Sequence, residues 1–458
     1  MRMARQTEIE ALLNSLSKEE LIRVIAQVVE QDEMFSNSLL LRYAKGDHSQ
    51  QIQTCKKLID SIVKKYVGRE GFIPYRETYG FASEMLKLLE DMNGAQDESL
   101  ALEIALLVLE EGIAAFQYAD DSDGDIGMLV GEALEQIQEI AGSQDQQDIS
   151  ARERFFERLL SVSKSGVFED WDDFRIALFR ICAEFADVEK FREQLKGAIE
   201  HQIASNANNE YRKYSNEALL QILFQIIQDY GSREEAERFV QEHLQFTFFR
   251  EWAIEKSMAA RNYRRAIELA EEGEQQDKQF PGLISRWKVA RYEAYKKLSL
   301  RQEQMELAKE LLLDGDYDYY HELESLFQGD KEEFYRSILQ ELKKANHWRT
   351  WDVYLKLISE KNDLEEMMVY VRANPSTIEE YAARLSSDYR EEMTQIYSNY
   401  IYSAASTSSN RKGYQRVCAI LKRYKKAVGK PSQEEIILQL KAQYYTRPAF
   451  MDELAKLT

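Results

Sequence analysis

Ser17-Lys-Glu-Glu20-Leu-Ile-Arg-Val-Ile-Ala-Gln-Val-Val-Glu-Gln31 sets the reading of the whole chain. Leu21, Ile22, Val24, Ile25, Val28 and Val29 recur at three- and four-residue intervals, so they share one broad face of a helix. Ser17 stands just ahead of this run and Glu20 follows three positions later. A serine so placed accepts a backbone N–H of the first turn, and the glutamate reaches back to the serine's own N–H. The same Ser/Asp-x-x-Glu opening recurs at Ser232 with Glu235, Asp330 with Glu333, Asp363 with Glu366, Ser376 with Glu379 and Ser432 with Glu435. Each precedes an apolar-periodic run, and together these starts predict helix after helix.

The composition agrees. Prolines occur only at 74, 281, 375, 431 and 448; proline removes a donor and clashes with the preceding turn, so its scarcity favours long helices. Alternating β-branched runs bounded by Asn-Gly or Asp-Gly are missing, and Leu106-Leu-Val-Leu109 sits inside a longer helical window. The expectation is upwards of roughly 70% helix, against a base rate of about a third. The breaks are short and polar, clearest at residues 44–50, 141–148, 205–213 and 404–411. The last contains Ala405-Ser-Thr-Ser-Ser-Asn410 and is expected to be mobile.

Short connections between many helices favour antiparallel pairs. Residues 250–345 look most repetitive. Ala259, Tyr263, Ala266 and Ala270 place small residues and an aromatic at helix-hairpin spacing, and Trp287, Ala290, Tyr292, Ala294 and Tyr295 follow. This stretch resembles degenerate tetratricopeptide hairpins. The predicted fold is therefore all-α, an irregular α-solenoid of roughly twenty helices. Its expected regions are 1–145, 146–249, the tetratricopeptide-like 250–345, and 346–458. Stacked hairpins leave a long curved surface, the usual place for a partner.

The charge balance is acidic, 60 Lys+Arg against 80 Asp+Glu, a formal net charge of −20. That argues against a chain-wide nucleic-acid footprint while leaving room for a local basic patch. Cys55, Cys182 and Cys418 are too dispersed for a disulfide framework or a zinc site and read as buried free thiols of a reducing cytoplasm. The charged start Met1-Arg-Met-Ala-Arg is followed by Glu8 and Glu10 rather than an apolar stretch, so no signal peptide is expected. No run of about 18 apolar residues suggests a membrane span.

Three segments resemble a bacterial family. They are Leu12-Leu-Asn-Ser-Leu-Ser-Lys-Glu-Glu-Leu21 with Ser38-Leu-Leu-Leu-Arg-Tyr43; Tyr118-Ala-Asp-Asp-Ser-Asp-Gly-Asp-Ile-Gly127; and a stretch from Tyr354 that includes Tyr414-Gln-Arg-Val-Cys-Ala-Ile-Leu-Lys-Arg423 and Tyr444-Tyr-Thr-Arg-Pro-Ala-Phe450. Together they resemble the helical region that follows the zinc finger in bacterial SWIM zinc-finger proteins. A SWIM finger needs C-x-C followed by C-x-H to complete a tetrahedral zinc site. Neither motif occurs here, so no ligand can be carried over. The resemblance implies the helical part of a longer protein, or a relative without the finger. The family's nucleic-acid or protein interaction is best tied to that finger.

Three surfaces are candidates for function. Asp120, Asp121, Asp123 and Asp125 could offer oxygen ligands to Ca²⁺ or Mg²⁺. They are a poor EF-hand, because taking Gly124 as the sixth loop position puts Ala119 first and Val130 twelfth. The plainer reading is a helix–helix turn with Asp125 at a helix start, where negative charge is favourable. Residues 411–430 carry Arg411, Lys412, Arg416, Lys422, Arg423, Lys425, Lys426 and Lys430 and no acid. These could meet phosphates, with Tyr414 and Tyr424 stacking on bases, or an acidic protein. The plainer reading is a solvated helix whose Val417, Ile420, Leu421 and Val428 face inward. Aromatic concentrations at Phe246-Thr-Phe-Phe249 and at Trp252, Tyr263, Tyr317 and Tyr320 read mainly as core filling. The latter four could also face a partner.

Histidines 48, 201, 243, 321 and 347 are dispersed, and neither H-E-x-x-H, G-x-S-x-G, a phosphate loop nor a dinucleotide fingerprint occurs. The expected function is non-catalytic binding of a protein partner, with no cofactor. A nucleic-acid accessory role through residues 411–430 is the alternative, and a cation-dependent activity at Asp120–Asp125 comes after it.

Overall fold

The computed structural model describes residues 12–43, 47–90, 97–144, 147–206, 212–345 and 348–457. Residues 1–11, read above for a leader, parts of three expected breaks (44–46, 145–146 and 207–211) and His347 lie outside them. The protein is all-α, 82% helical, with no strand among the described residues. It divides into two compact units, residues 1–249 and 250–458.

The first unit contains α1 (Lys18–Gln31), α2 (Glu33–Tyr43), α3 (His48–Tyr66), α4 (Tyr75–Glu90), α5 (Glu98–Ala115), α6 (Asp125–Ser143), α7 (Ile149–Val162), α8 (Asp172–Ala183), α9 (Glu189–Ser205), α10 (Lys213–Tyr230) and α11 (Arg233–Glu242). The division falls within α12 (Thr247–Ala259). The second unit continues through α13 (Tyr263–Gln276), α14 (Pro281–Leu298), α15 (Arg301–Leu313), α16 (Asp318–Leu326), α17 (Lys331–Ala345), α18 (Trp348–Glu360), α19 (Leu364–Ala373), α20 (Ile378–Leu385), α21 (Arg390–Thr407), α22 (Arg411–Val428), α23 (Lys430–Gln443) and α24 (Pro448–Ala455).

In the first unit α5 is apolar nearly all round, and such a helix belongs inside. Leu102, Ile104, Leu106, Val108, Leu109 and Ile113 are buried, and α3, α4 and α6 pack around it. Gly112 permits the closest approach, because a Cβ there would lie 2.9 Å from Val130 Cγ2 on α6. Farther along, Phe156 of α7 stacks on Phe191 of α9 at 4.9 Å, and Phe224, Phe239 and Phe249 form another aromatic cluster. Phe249, from the aromatic run noted above, is wholly buried there.

In the second unit consecutive helices pack on one another, most extensively α13 on α14. Ala266, Ala270 and Gly273 of α13 and Ala294 of α14 are buried, and a Cβ at Gly273 would lie 3.0 Å from Trp287 of α14. Ala259, expected to share this role, is exposed at the end of α12. Four helix ends here use one device. The N–H of Asn262, Leu300, Asp316 and Asp363 bonds the carbonyl five residues back, and that of Arg261, Ser299, Gly315 and Asn362 the carbonyl three back. This is the Schellman stop, which needs a left-handed residue. Gly315 supplies one, but Arg261 (φ 63°), Ser299 (57°) and Asn362 (51°) supply the others.

The N-terminal signals work as their chemistry requires at Ser17 and Ser232, where both halves of the capping box form. Asp330 and Asp363 also accept first-turn N–H groups. Two expected starts differ. Ser376 lies in a 3₁₀ turn, Pro375–Thr377, and Ser432 lies inside α23. The preceding prolines explain both: a proline's fixed φ suits a first helical turn, so Pro375 and Pro431 lie in the opening turn and helical structure begins before the serine. The Ser-rich segment near 405–410 is also corrected. α21 runs to Thr407, Ala405 is fully buried, and Ser406, Thr407 and Ser408 hydroxyls bond back to Ser403 and Ala404 carbonyls. Arg447 Nη1 donates to the Ser408 carbonyl at 2.9 Å.

Candidate functional site

The Asp120–Asp125 loop is tied to the α3–α4 connection by a bridge: Ile73 N–H donates to Tyr118 O (2.7 Å) and Asp120 N–H to Ile73 O (3.0 Å). Its carboxylates are engaged separately. Asp121 accepts the N–H groups of Ile126 (2.7 Å) and Gly127 (3.2 Å), so it caps α6. Asp120 accepts from the Ser122 hydroxyl, and Asp125 from the Thr78 hydroxyl at 3.3 Å. Asp123 accepts from the Tyr75 hydroxyl, which raises that phenol's pKa. Among the described residues no three His, Cys, Asp or Glu side chains are grouped to hold a metal ion. The arrangement is a turn whose acids satisfy backbone and hydroxyl donors, with Asp125 as the first residue of α6.

The four aromatic candidates separate by burial. Tyr320 is fully buried, its ring 5.9 Å from Phe334, which corrects its assignment to a partner surface: core packing around α16 and α17 claims it. Burial pushes its phenol up to about 12. Tyr317 is half-buried and donates to Glu360 Oε2 at 2.6 Å. Trp252 and Tyr263 are half-buried, and Lys256 Nζ lies 4.4 Å from the Trp252 ring.

The basic segment is the single helix α22, fastened into the second unit by its inner face. Val417, Ile420 and Leu421 are buried, and Gln433 Nε2 donates to Leu421 O at 3.1 Å. Tyr414 and Tyr424 are buried with them. Tyr414 stacks on Phe450 at 4.7 Å, while Tyr424 meets Tyr397 edge-on at 5.1 Å and lies 3.1 Å from the Ser398 hydroxyl. The expectation that these tyrosines stack on bases is therefore wrong. They share the inner line 414, 417, 421, 424 and are consumed by the core.

The outer face carries the cations. Arg411 pairs with Asp452 at 3.0 Å and Glu453 at 3.5 Å. Arg423 pairs with Glu379 at 2.8 Å, a contact that raises the guanidinium's pKa. Lys430, just beyond, pairs with Glu434 at 3.3 Å. Lys412, Arg416, Lys422, Lys425 and Lys426 are all exposed, and none has a carboxylate within ion-pair distance among the described residues. Elsewhere in the second unit cations are commonly matched, as in Lys288 with Asp314, Arg291 with Glu274 and Arg372 with Glu392.

Compared with known proteins, the chain matches no family profile and no curated sequence.

Two further surfaces depend on tertiary packing. The α1 helix buries no residue: Ile22 is 56% exposed, and Val24, Ile25 and Val28 are each 40% or more. Its amphipathic pattern was plain, but whether a neighbour covers the apolar face is a tertiary matter. Trp348, 70% exposed, borders a 490 Å³ cleft with Asp314, Asp316, Asp318 and Asp352. Lys288 and Lys356 pair with two of those acids, Asp314 and Asp352. Among the described residues no helix is long and apolar enough to cross a membrane.

Proposed function

We propose that this protein is a non-catalytic helical scaffold that binds a protein partner. The observation that carries the reading is the exposure of Ile22, Val24, Ile25 and Val28 on α1, which no described residue buries. An amphipathic helix gains its stability by burying its apolar face, and a contiguous exposed patch marks a contact surface. The test compares the wild-type chain with an Ile22→Glu/Ile25→Glu/Val28→Glu variant in native purification. A stoichiometric protein retained by the former and lost from the latter is expected. Repeated failure to retain any protein overturns the reading.

The packing of α13 on α14, α14 on α15 and α15 on α16 supports an α-solenoid of tetratricopeptide-like hairpins in the second unit. A relationship to the helical region of SWIM zinc-finger proteins is part of the same proposal and rests on the quoted sequence segments. Three free, buried cysteines support a reducing, cytoplasmic setting.

A second reading, a nucleic-acid-associated accessory protein, is favoured by the five unpaired cations of α22. Mixing the chain with labelled DNA and RNA at low salt tests it, and absence of binding to all of them removes it.

A further inference from the structure

We infer that the outer face of α22 is a docking surface for the phosphate backbone of double-stranded DNA, bound without regard to base sequence. This rests on the second reading above and deepens it. Lys412, Arg416, Ala419, Arg423 and Lys426 follow one another at four- and three-residue steps, so they form one line along the helix. From Lys412 to Lys426 the line extends about 21 Å at the α-helical rise. Lys422 and Lys425 continue an adjacent line that begins with Arg411 and Gln415. Cations therefore occupy most of the solvent side of α22, whose tyrosines are buried, with Arg411 and Arg423 already paired to carboxylates.

The composition of this face chooses the partner. A protein interface is built around an apolar or aromatic anchor, with charge at the rim. Between these cations stand only Gln415 and Ala419, and every large apolar side chain of α22 is turned inward or half-buried. An acidic protein would find charge but no anchor. A nucleic acid supplies regular charge, about one per 1.7 Å of duplex axis, and needs no apolar contact. Single strands are held largely by aromatic platforms, and α22 turns its own two aromatics, Tyr414 and Tyr424, into the core. Between duplexes, a helix with cations on both flanks suits the two phosphate rows that border the roughly 12 Å major groove of B-form DNA. The deep, narrow major groove of A-form RNA does not admit it. The chain's net charge of −20 opposes long-range attraction, while each phosphate that these cations neutralise releases counterions, so the contact weakens as salt rises.

Fluorescence anisotropy of the full chain with labelled random-sequence duplex DNA, duplex RNA, single-stranded DNA and polyglutamate tests the inference. Duplex DNA is expected to bind tightest, with a log–log salt slope of about −4.5 for about five phosphate contacts. Lys422→Gln/Lys426→Gln, mild enough to preserve folding, is expected to flatten the slope by about 2. Reversal of Lys412, Arg416, Lys422, Lys425 and Lys426 to Glu, with helicity verified by circular dichroism, is expected to abolish binding. DNA binding unchanged in these folded variants overturns the assignment to α22 while the nucleic-acid reading stands. Equal or tighter binding of duplex RNA, single strands or polyglutamate overturns the choice of partner. No binding of any nucleic acid at low salt overturns both.

Discussion

Trp287 Nε1 donates a 2.8 Å hydrogen bond to Asp277 Oδ2 in the interior of the second unit, joining α14 to the C-terminal cap of α13. Trp287 is 1% exposed, and its indole lies over Gly273. Beside the same glycine, Arg250 is buried and donates to Leu269 O (2.8 Å) and Gln276 Oε1 (3.1 Å). One glycine thus admits a tryptophan and an arginine to the same place, and one carboxylate satisfies the indole.

Two substitutions test that arrangement separately. Asp277→Ala leaves a buried indole N–H without its acceptor and is expected to cost about 1–3 kcal/mol. Gly273→Ala would place a methyl 2.9 Å from Arg250 Cδ and 3.0 Å from Trp287 Cγ and Cδ1. Overpacking of that kind costs about 1–3 kcal/mol. Urea unfolding followed by tryptophan fluorescence reads both. Wild-type midpoints in either variant would show that the contact has little energetic weight.

Acid should weaken the first unit through Asp187. Its carboxylate receives two bonds from Arg152, at 2.8 and 2.6 Å, and these hold its pKa below the ordinary value. A depressed carboxylate contributes stability that is complete above its unfolded pKa and is lost as pH falls through the folded value. Asp187 is about half exposed, so the contribution is discounted for solvent screening. The stability gap between wild type and Asp187→Asn is expected to be constant near neutrality and to close below about pH 4. A gap that persists at lower pH would contradict the assignment.

Alkali should weaken the second unit. Burial raises Tyr319 and Tyr320 to about 12. Burial, aided by the acceptors Asp363 and Glu366, also raises Tyr335 and Tyr354. A phenol whose folded pKa is raised keeps its proton in the native state while the unfolded chain loses it, so stability falls as pH rises past about 10. Tyrosinate absorbance is expected to appear in step with loss of helicity. Ionisation of these tyrosines near pH 10 in a fully helical chain would count against their burial.

How much of this was legible follows the range of each interaction. The capping boxes at Ser17 and Ser232 are local, and they form as the sequence indicates. Ser376 and Ser432 carry the same pattern, yet Pro375 and Pro431 override it with an equally local preference that deserved priority. The inward turn of Tyr414 and Tyr424 is legible in their spacing with Val417 and Leu421, whereas the cations beside them point to base stacking only if that spacing is ignored. Glu379 and Asp452, which neutralise Arg423 and Arg411, lie 44 and 41 positions away, and no local pattern points to them. The same holds for the uncovered face of α1. Periodicity identifies an apolar face but not what lies against it.

The Schellman stops were illegible for a different reason, and they give a prediction of opposite signs. Arg261 and Ser299 are exposed residues held at φ 63° and 57°, where an L side chain is disfavoured by about 1–2 kcal/mol. The missing glycine is why no stop signal was visible there. Arg261→Gly and Ser299→Gly relieve that cost, partly offset by the greater freedom of glycine in the unfolded chain. Each is expected to raise stability by about 0.5 kcal/mol. Gly315 serves the same purpose at φ 111°, and a Cβ there would lie 2.9 Å from Arg349 Cβ. Gly315→Ala is therefore expected to destabilise by more than 1 kcal/mol or so. Urea midpoints at unchanged m-value give the comparison. If all three substitutions shift the midpoint in one direction, the left-handed stops are not what ends these helices.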